Sequence, residues 1–401
     1  MSAPNSERMR ELTYLGRRRV EWRSVAEPTL GGSLAALVRP VIAARCDGDN
    51  LPIFNSVTTA MRAGVALHYL DPVTTELLGA HPYAAPFAIG HECIAQVVEC
   101  GEAVRGFVPG QLVIVPWAIS CGACRNCGDG LTSRCSAAGD SLLSAYGFGA
   151  SMGSWGGSVS DLLRVPYADA MLVPVPESID PMLLASASDN MPDAWRAVGP
   201  PLAQCPDAAV LVVGGAARSI GLYAAGMAVA LGAARVDYVD HHAERLAIAE
   251  RLGARPIESR RGARWFDRHA PRVHGDYRVA VEASATPAGI RYALRSLAPG
   301  GICTAVGFYF ARSTGLPLMQ MYANSTTLHV GVSHARAGIP HVIDLVAKGA
   351  FDPLAVATVI ADWDDAPQAF TTPATKVIVR RAKFTRAAGA RAGCQRGGCD
   401  G

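Results

Sequence analysis

The sequence has little net charge: 37 Lys and Arg against 34 Asp and Glu leave a formal +3 over 401 residues. That balance lacks the electrostatic footprint of a nucleic-acid binder, so no polyanionic partner is expected. The opening MSAPNSERMREL puts no apolar segment behind its charges, so neither a secretory signal nor a transit peptide is read there, and a cytoplasmic location is expected. Long apolar runs are missing too. The uncharged stretches 106–124 and 141–160 are broken by Pro109, Pro116 and the run SMGSWGGSVS, unlike a membrane-spanning helix of about 20 apolar residues. No internal repeat is present.

What the chain does contain is 50% AVILMFWYC and 41 glycines, with only 18% charged residues, a composition suited to compact α/β packing with tight turns. At roughly 100–200 residues per domain, two domains are expected. Residues 9–45 and 91–118 alternate in the strand manner, with Gly101 and Pro109-Gly110 as turns. Between Asn50 and Ile89, SVTTAMRAGVALHYL and DPVTTELLGA read as helices, the second capped by Asp71-Pro72. After about 205 the text becomes βαβα: AAVLVVGG, SIGLYAAGMAVALGA, RVDYVD, AERLAIAERLGA, then YRVAVEA, PAGIRYALRSLA, GGICTAVGF and TLHVGV. Such apolar strands between helices predict a doubly wound parallel sheet. A helix, PHVIDLVAKGA, and a last strand, TKVIVRR, lead into a Gly/Arg/Ala-rich tail expected to be disordered.

Eleven cysteines are an odd count, which argues against a closed disulfide framework. Four of them, Cys121, Cys124, Cys127 and Cys135, are spaced C-x2-C-x2-C-x7-C. Four thiolates on one loop suit a tetrahedral structural zinc with no open position. An iron–sulfur cluster would continue with x3 and Cys-Pro, whereas x7 and Cys135-Ser136 stand here. Cys93, Cys100, Cys205 and Cys303 lie in apolar text and read as inert, while Cys394 and Cys399 fall in the tail.

A glycine turn supplies a second candidate site. Gly214, Gly215 and Gly221, with Arg218, Ser219 and Ile220 between them, stand at a helix N-terminus whose free N–H groups can hold a pyrophosphate. G-x-G-x-x-G is not matched, because Ala216 and Arg218 occupy the first two glycine positions counted back from Gly221. Asp240 lies 19 residues beyond Gly221, at a strand end where a carboxylate accepts from ribose hydroxyls and repels a 2′-phosphate, which favours NAD. Arg245 is close enough to join this site, although its place in AERLAIAERLGA reads more simply as a solvated helix face.

The cysteine lobe, Gly90-His91-Glu92, VVECGEAVRGFVPGQLVIV and WGGSVSDLLRVPYADAMLVPVP together resemble the zinc-dependent medium-chain alcohol dehydrogenase family over about residues 9–384. SMGSWGGSVSDLLRVPYAD resembles its glutathione-independent formaldehyde dehydrogenase branch. The resemblance implies an α/β chain with a β-rich GroES-like catalytic domain (9–190 and 333–384) and a doubly wound Rossmann domain (191–332). An N-terminal extension (1–8) and the disordered tail (385–401) flank them. It also implies a catalytic zinc held by Cys46, His91 and Asp189, with Glu92 able to swing onto the metal. Taken singly, Cys46 reads as a core residue, His91 as a buried imidazole and Asp189 as a helix N-cap; their joint order points to the metal.

Where the family has a relay hydroxyl and often a His, this chain has Gly48 and Leu51, so Asp47, Asn50 or a water chain must pass the proton. Asp49 matches a structural Asp. The implied function is reversible hydride transfer between an alcohol, or its aldehyde or ketone, and NAD, with two zincs per chain in a homodimer or homotetramer. The alternative is a zinc-stabilised protein that retains NAD without net turnover or for a redox-neutral step. Segment 52–88 is expected to shape the substrate entrance or a subunit contact.

Overall fold

The computed structural model describes residues 7–79, 81–260 and 263–382; the expected tail, with Cys394 and Cys399, and residues 1–6 of the expected extension lie outside the described residues. Two sheets dominate. In the second half of the chain, six parallel strands run in the order Arg255–Glu258, Arg235–Asp240, Ala209–Val213, Tyr277–Glu282, Leu297–Ala305 and Thr327–Val330. The central strand, AVLVV, is apolar throughout and buried from Val210 to Val213, as a strand covered on both faces must be. Val212 lies opposite Tyr238 on one side and Val281 on the other. Strand order reverses between these neighbours, which opens a crevice at the carboxyl ends of the strands.

The first half builds a seven-stranded, mostly antiparallel sheet. Ala36–Arg45 pairs with Glu92–Cys100, which continues to Leu112–Val115 and Val173–Pro174. The chain returns late to complete it: Val377–Arg380 lies antiparallel to Ala36–Arg45, with Val377 opposite Arg45. A three-stranded sheet of Arg19–Ala26, Arg8–Gly16 and Phe87–Ala88 lies beside it. The expected strands and helices of the βαβα text are all present.

Helix Asn190–Gln204 joins the halves. The prolines 192, 200 and 201 obscure its period in the sequence, yet its inner face is apolar. One continuous core runs from Val41, Ile42 and Ile94 of the antiparallel sheet through Met191, Ala194 and Ala197 into Val210, Val212 and Leu222 of the parallel one. A second core, with Leu12, Ile53, Trp117 and Phe148, fills the other face of the antiparallel sheet.

Segment 52–88 carries the helices Val57–Ala66 and Val73–Leu78, and Asp71 Oδ1 accepts from Val73 N at 2.9 Å. It also crosses to the other half: Asp71 N donates to Phe310 O and Arg312 N to Tyr69 O, both at 3.0 Å. Among the described residues no helix is long and apolar enough to cross a membrane.

The return strand depends on helix Ala366–Thr371, whose Phe370 is fully buried and whose Phe370 carbonyl accepts from Arg45 Nη1 at 2.6 Å. Phe370→Ala is expected to cost about 3–5 kcal/mol through the cavity it leaves, read as a lower urea midpoint.

Candidate active site

Cys46 follows the end of strand Ala36–Arg45, caps helix Asp47–Phe54 and is fixed there by reciprocal bonds: Cys46 N donates to Asp49 Oδ2 (2.9 Å) and Gly48 N to Cys46 Sγ (3.3 Å). His91 sits just before strand Glu92–Cys100, and Asp189 at the head of helix Asn190–Gln204. Distant in sequence, the three converge. Cys46 Sγ lies 3.2 Å from Asp189 Oδ2, and His91 Nε2 lies 3.5 Å from the same oxygen. All three ligand atoms fall within 4.8 Å of one another.

Cys46 and His91 are buried, and the Asp189 side chain is 13% exposed. A sulfur, an imidazole nitrogen and a carboxylate oxygen meeting at one point suit a zinc with a free fourth position. Burial pushes the Cys46 thiol up, which is the cost of a thiolate here without a cation. For His91, burial works against the charged form but Asp49 and Cys46 outweigh it and hold the imidazole well above its ordinary value.

Supporting groups surround the ligands. Asp49 Oδ1 lies 3.4 Å from His91 Nδ1, and Asn190 Nδ2 donates to Cys46 Sγ at 3.0 Å. Such partners orient metal ligands and tune them. Glu92 is not among the converging atoms: its carboxylate pairs with Lys376 and its Oε1 accepts from Asn190 N at 3.1 Å. Burial pushes the Glu92 carboxyl up, with Lys376 pulling the other way. Lys376 and Asn190 escaped the sequence reading; a lone Lys in the apolar text TKVIVRR was the only signal.

Rings pack beside the ligand atoms. Phe148 stacks on His91 at 4.8 Å, and Trp117 and Tyr83 stand 6.3 and 6.4 Å from Phe148. A Cβ at Gly48 would meet Cys46 Sγ and Phe148 no closer than 3.8 Å, so the missing side chain leaves space beside the ligands. Tyr83, in segment 52–88, is buried at 4% exposure. Leu51 is only half-buried and packs against the core beside it.

The four lobe cysteines also converge within 4.8 Å, half-buried. Cys121 Sγ accepts from Ala123 N and Cys124 N at 3.4 and 3.3 Å, and Cys135 Sγ from Cys121 N at 3.3 Å. Amides aimed at sulfur are what a thiolate set for a metal needs.

At the glycine turn, a Cβ on Gly214 would come within 2.5 Å of Asp240 Oδ2, and one on Gly215 within 2.5 Å of Ser284 Cα. Only glycine permits this approach. Gly221, inside helix Arg218–Ala230, packs near Ala283. Arg218 Nη1 donates to Ala374 O at 3.3 Å.

Two expectations need correction here. Arg245 is not on a solvated face: it is 6% exposed and its guanidinium is bidentate to Asp240, both contacts at 2.7 Å. The helix pattern misled because Asp240 at the strand end draws the side chain inward. Nor are the first-turn N–H groups free, since Asp47 Oδ2 takes those of Ser219 (2.8 Å) and Ile220 (3.3 Å). A carboxylate settles at a helix N-terminus for the same reason a phosphate does. Asp47 is therefore turned toward the parallel sheet's helix rather than gathered with the three ligand atoms.

A strand-order reversal in the parallel sheet, a buried three-ligand cluster and a separate four-cysteine lobe thus occur in one chain. Residues 56–177 match the alcohol dehydrogenase GroES-like domain and residues 219–348 the zinc-binding dehydrogenase domain. The chain is 32% identical over 321 residues to the "Probable zinc-binding alcohol dehydrogenase Rv1895" of Mycobacterium tuberculosis, covering 79% of this chain and 77% of that protein. It is 35% identical over 175 residues to the glutathione-independent formaldehyde dehydrogenase of Pseudomonas aeruginosa PAO1, 41% of this chain and 42% of that one. The solved alcohol dehydrogenase TADH from Thermus sp. ATN1 superposes with a TM-score of 0.73 at 26% identity, over 93% of this chain and 99% of its own. The chain belongs to the zinc-dependent medium-chain dehydrogenase family.

The Asp240–Arg245 pair yields a pH-dependent expectation. Burial alone would raise the Asp240 carboxyl, but the hydrogen bonds and charge of Arg245 outweigh it and hold the value below the usual range. Its stabilisation is thus full above the unfolded value, about 3.9, and is lost as pH falls through the lower folded value. Asp240→Asn leaves Arg245 buried and unpaired and is expected to cost about 3–5 kcal/mol at pH 7. The gap between the variant and wild-type urea midpoints is expected to narrow as pH is lowered toward about 3.

Proposed function

We propose that the protein transfers hydride reversibly between an alcohol, or the corresponding aldehyde or ketone, and NAD, with one catalytic and one structural zinc per chain. The observation that carries this reading is the convergence of Cys46, His91 and Asp189 within 4.8 Å, beside the crevice where the parallel sheet reverses its strand order. When bound, zinc supplies Lewis acidity toward a substrate oxygen and the nicotinamide ring accepts or returns the hydride.

The chain's own residues do the rest. Cys46, His91 and Asp189 hold the metal and leave one position open. Asp49 and Asn190 orient two of these ligands. Phe148, Trp117 and Tyr83 exclude water and present an apolar wall to the substrate's carbon chain. Cys121, Cys124, Cys127 and Cys135 hold the structural zinc. Gly214 and Gly215 let the dinucleotide approach the sheet, and Asp240 marks the strand end where the ribose would lie. NAD rather than NADP is supported by the bidentate Asp240–Arg245 pair, which commits that guanidinium to the carboxylate and so does not leave it free for a 2′-phosphate.

Metal analysis of the purified protein is expected to give two zincs per chain, and 340-nm absorbance to rise when NAD is mixed with members of an alcohol panel. Asp189→Asn is expected to lower kcat/KM by about 10²-fold or more, the loss of several kcal/mol of polarisation. One zinc and no absorbance change with any alcohol would sink the reading. Cys135→Ser is expected to remove one zinc, lower the thermal midpoint and leave the other metal in place, as metal analysis and calorimetry would show.

A further inference from the structure

Asp47 opens helix Asp47–Phe54, one residue after Cys46, and its carboxylate crosses the seam between the halves of the molecule. Oδ2 accepts from Ser219 N at 2.8 Å and Ile220 N at 3.3 Å, and lies 2.8 Å from the Ser219 hydroxyl. These are the N–H groups of the first turn of helix Arg218–Ala230, directly after the turn where Gly214 and Gly215 leave no room for a side chain. The other oxygen, Oδ1, is buried with no hydrogen-bond partner among the described residues. A buried carboxylate with one oxygen unsatisfied is held at a cost, and a better-matched anion at the same amides would relieve it.

A diphosphate and Asp47 cannot share these donors. Each N–H has one hydrogen to give, and a carboxylate in a poorly solvated seam repels a phosphate at hydrogen-bond range. Lys376, Arg218, Arg45 and Arg245 are close enough for their charge to act on Asp47, but Lys376 is committed to Glu92, Arg218 to the Ala374 carbonyl, Arg45 to carbonyls of residues 370, 372 and 374, and Arg245 to Asp240.

We propose that Asp47 is a built-in competitor for the diphosphate seat: the dinucleotide takes the first-turn amides only as Asp47 gives them up, so this one side chain sets a weak affinity and a ready exchange of cofactor. The proposal rests on the dinucleotide-dependent reading above. It separates this chain's diphosphate seat, whose amides Asp47 occupies, from the adenosine end beside Asp240, with which Asp47 makes no hydrogen bond among the described residues.

The test uses the full-length, zinc-loaded protein and Asp47→Asn, which keeps the shape and one acceptor oxygen but removes the charge, with Asp47→Ser as a second, shorter variant. NADH binding is followed by fluorescence titration, and ADP-ribose and adenosine by calorimetry; zinc content and melting temperature confirm that each variant is folded. Both variants are expected to bind NADH and ADP-ribose at least about tenfold more tightly than wild type, a change of about 1.4 kcal/mol, with adenosine unchanged. Wild-type binding with no gain in either variant overturns the inference alone, as does an equal gain for adenosine, which would mark a general loosening of the seam. No binding of NADH by wild type or either variant overturns the dinucleotide reading and this inference with it.

Discussion

A buried ammonium organises the site. Lys376 and Glu92 are both fully buried and paired, and Lys376 Nζ also donates to Asn190 Oδ1 at 2.7 Å. Asn190 in turn donates to Cys46 Sγ, and its backbone N–H to Glu92. A buried charge stripped of its partner costs several kcal/mol, so the three elements that supply this cluster must dock together or not at all. They are the return strand Val377–Arg380, with Lys376 just before it, strand Glu92–Cys100 and helix Asn190–Gln204. Cys46, His91 and Asp189 inherit their positions from that condition. Cys46 lies next to Arg45, whose guanidinium is tied to carbonyls of residues 370, 372 and 374 on the approach to the same return strand.

The same cluster explains why parts of the protein could be read from sequence and others could not. The parallel sheet was legible because each of its strands is a short apolar run between helices, a signal carried by neighbours in sequence. The lobe was legible because Cys121 to Cys135 sit on one loop. Cys46, His91 and Asp189 span 143 residues between first and last, and spacing says nothing about them; only the resemblance to a family named them. Lys376 and Asn190 carry no local signature, since what makes them functional is each other. Arg245 shows the limit from the opposite side. A helical face predicts exposure only when nothing across from it demands charge, and Asp240 demands it.

Asp47 belongs to the same class of long-range feature. As a relay candidate it was chosen for being next to Cys46, yet adjacency along a helix start does not fix direction. Its carboxylate is taken up by the first-turn amides of helix Arg218–Ala230 rather than by the Cys46–His91–Asp189 cluster. That leaves the Cys46–His91–Asp189 cluster with Asp49 as its titratable neighbour from helix Asp47–Phe54, held by Cys46 N and beside His91.

The space beside the ligands is therefore shaped from elsewhere. Gly48 contributes no side chain, and the nearest ring, Phe148, is shared by His91, Trp117 and Tyr83. Tyr83 brings the hydroxyl that this wall otherwise lacks, and burial first, then the charge of Asp49, push its pKa up, so it remains protonated and able to donate. It stands in the left-handed region at φ 56°, a cost for a bulky residue that surrounding structure must hold. The segment holding it is the one whose residues 69 and 71 hydrogen-bond residues 310 and 312 of the other half. One stretch of chain thus supplies both a ring beside the Cys46–His91–Asp189 cluster and part of the seam between the halves.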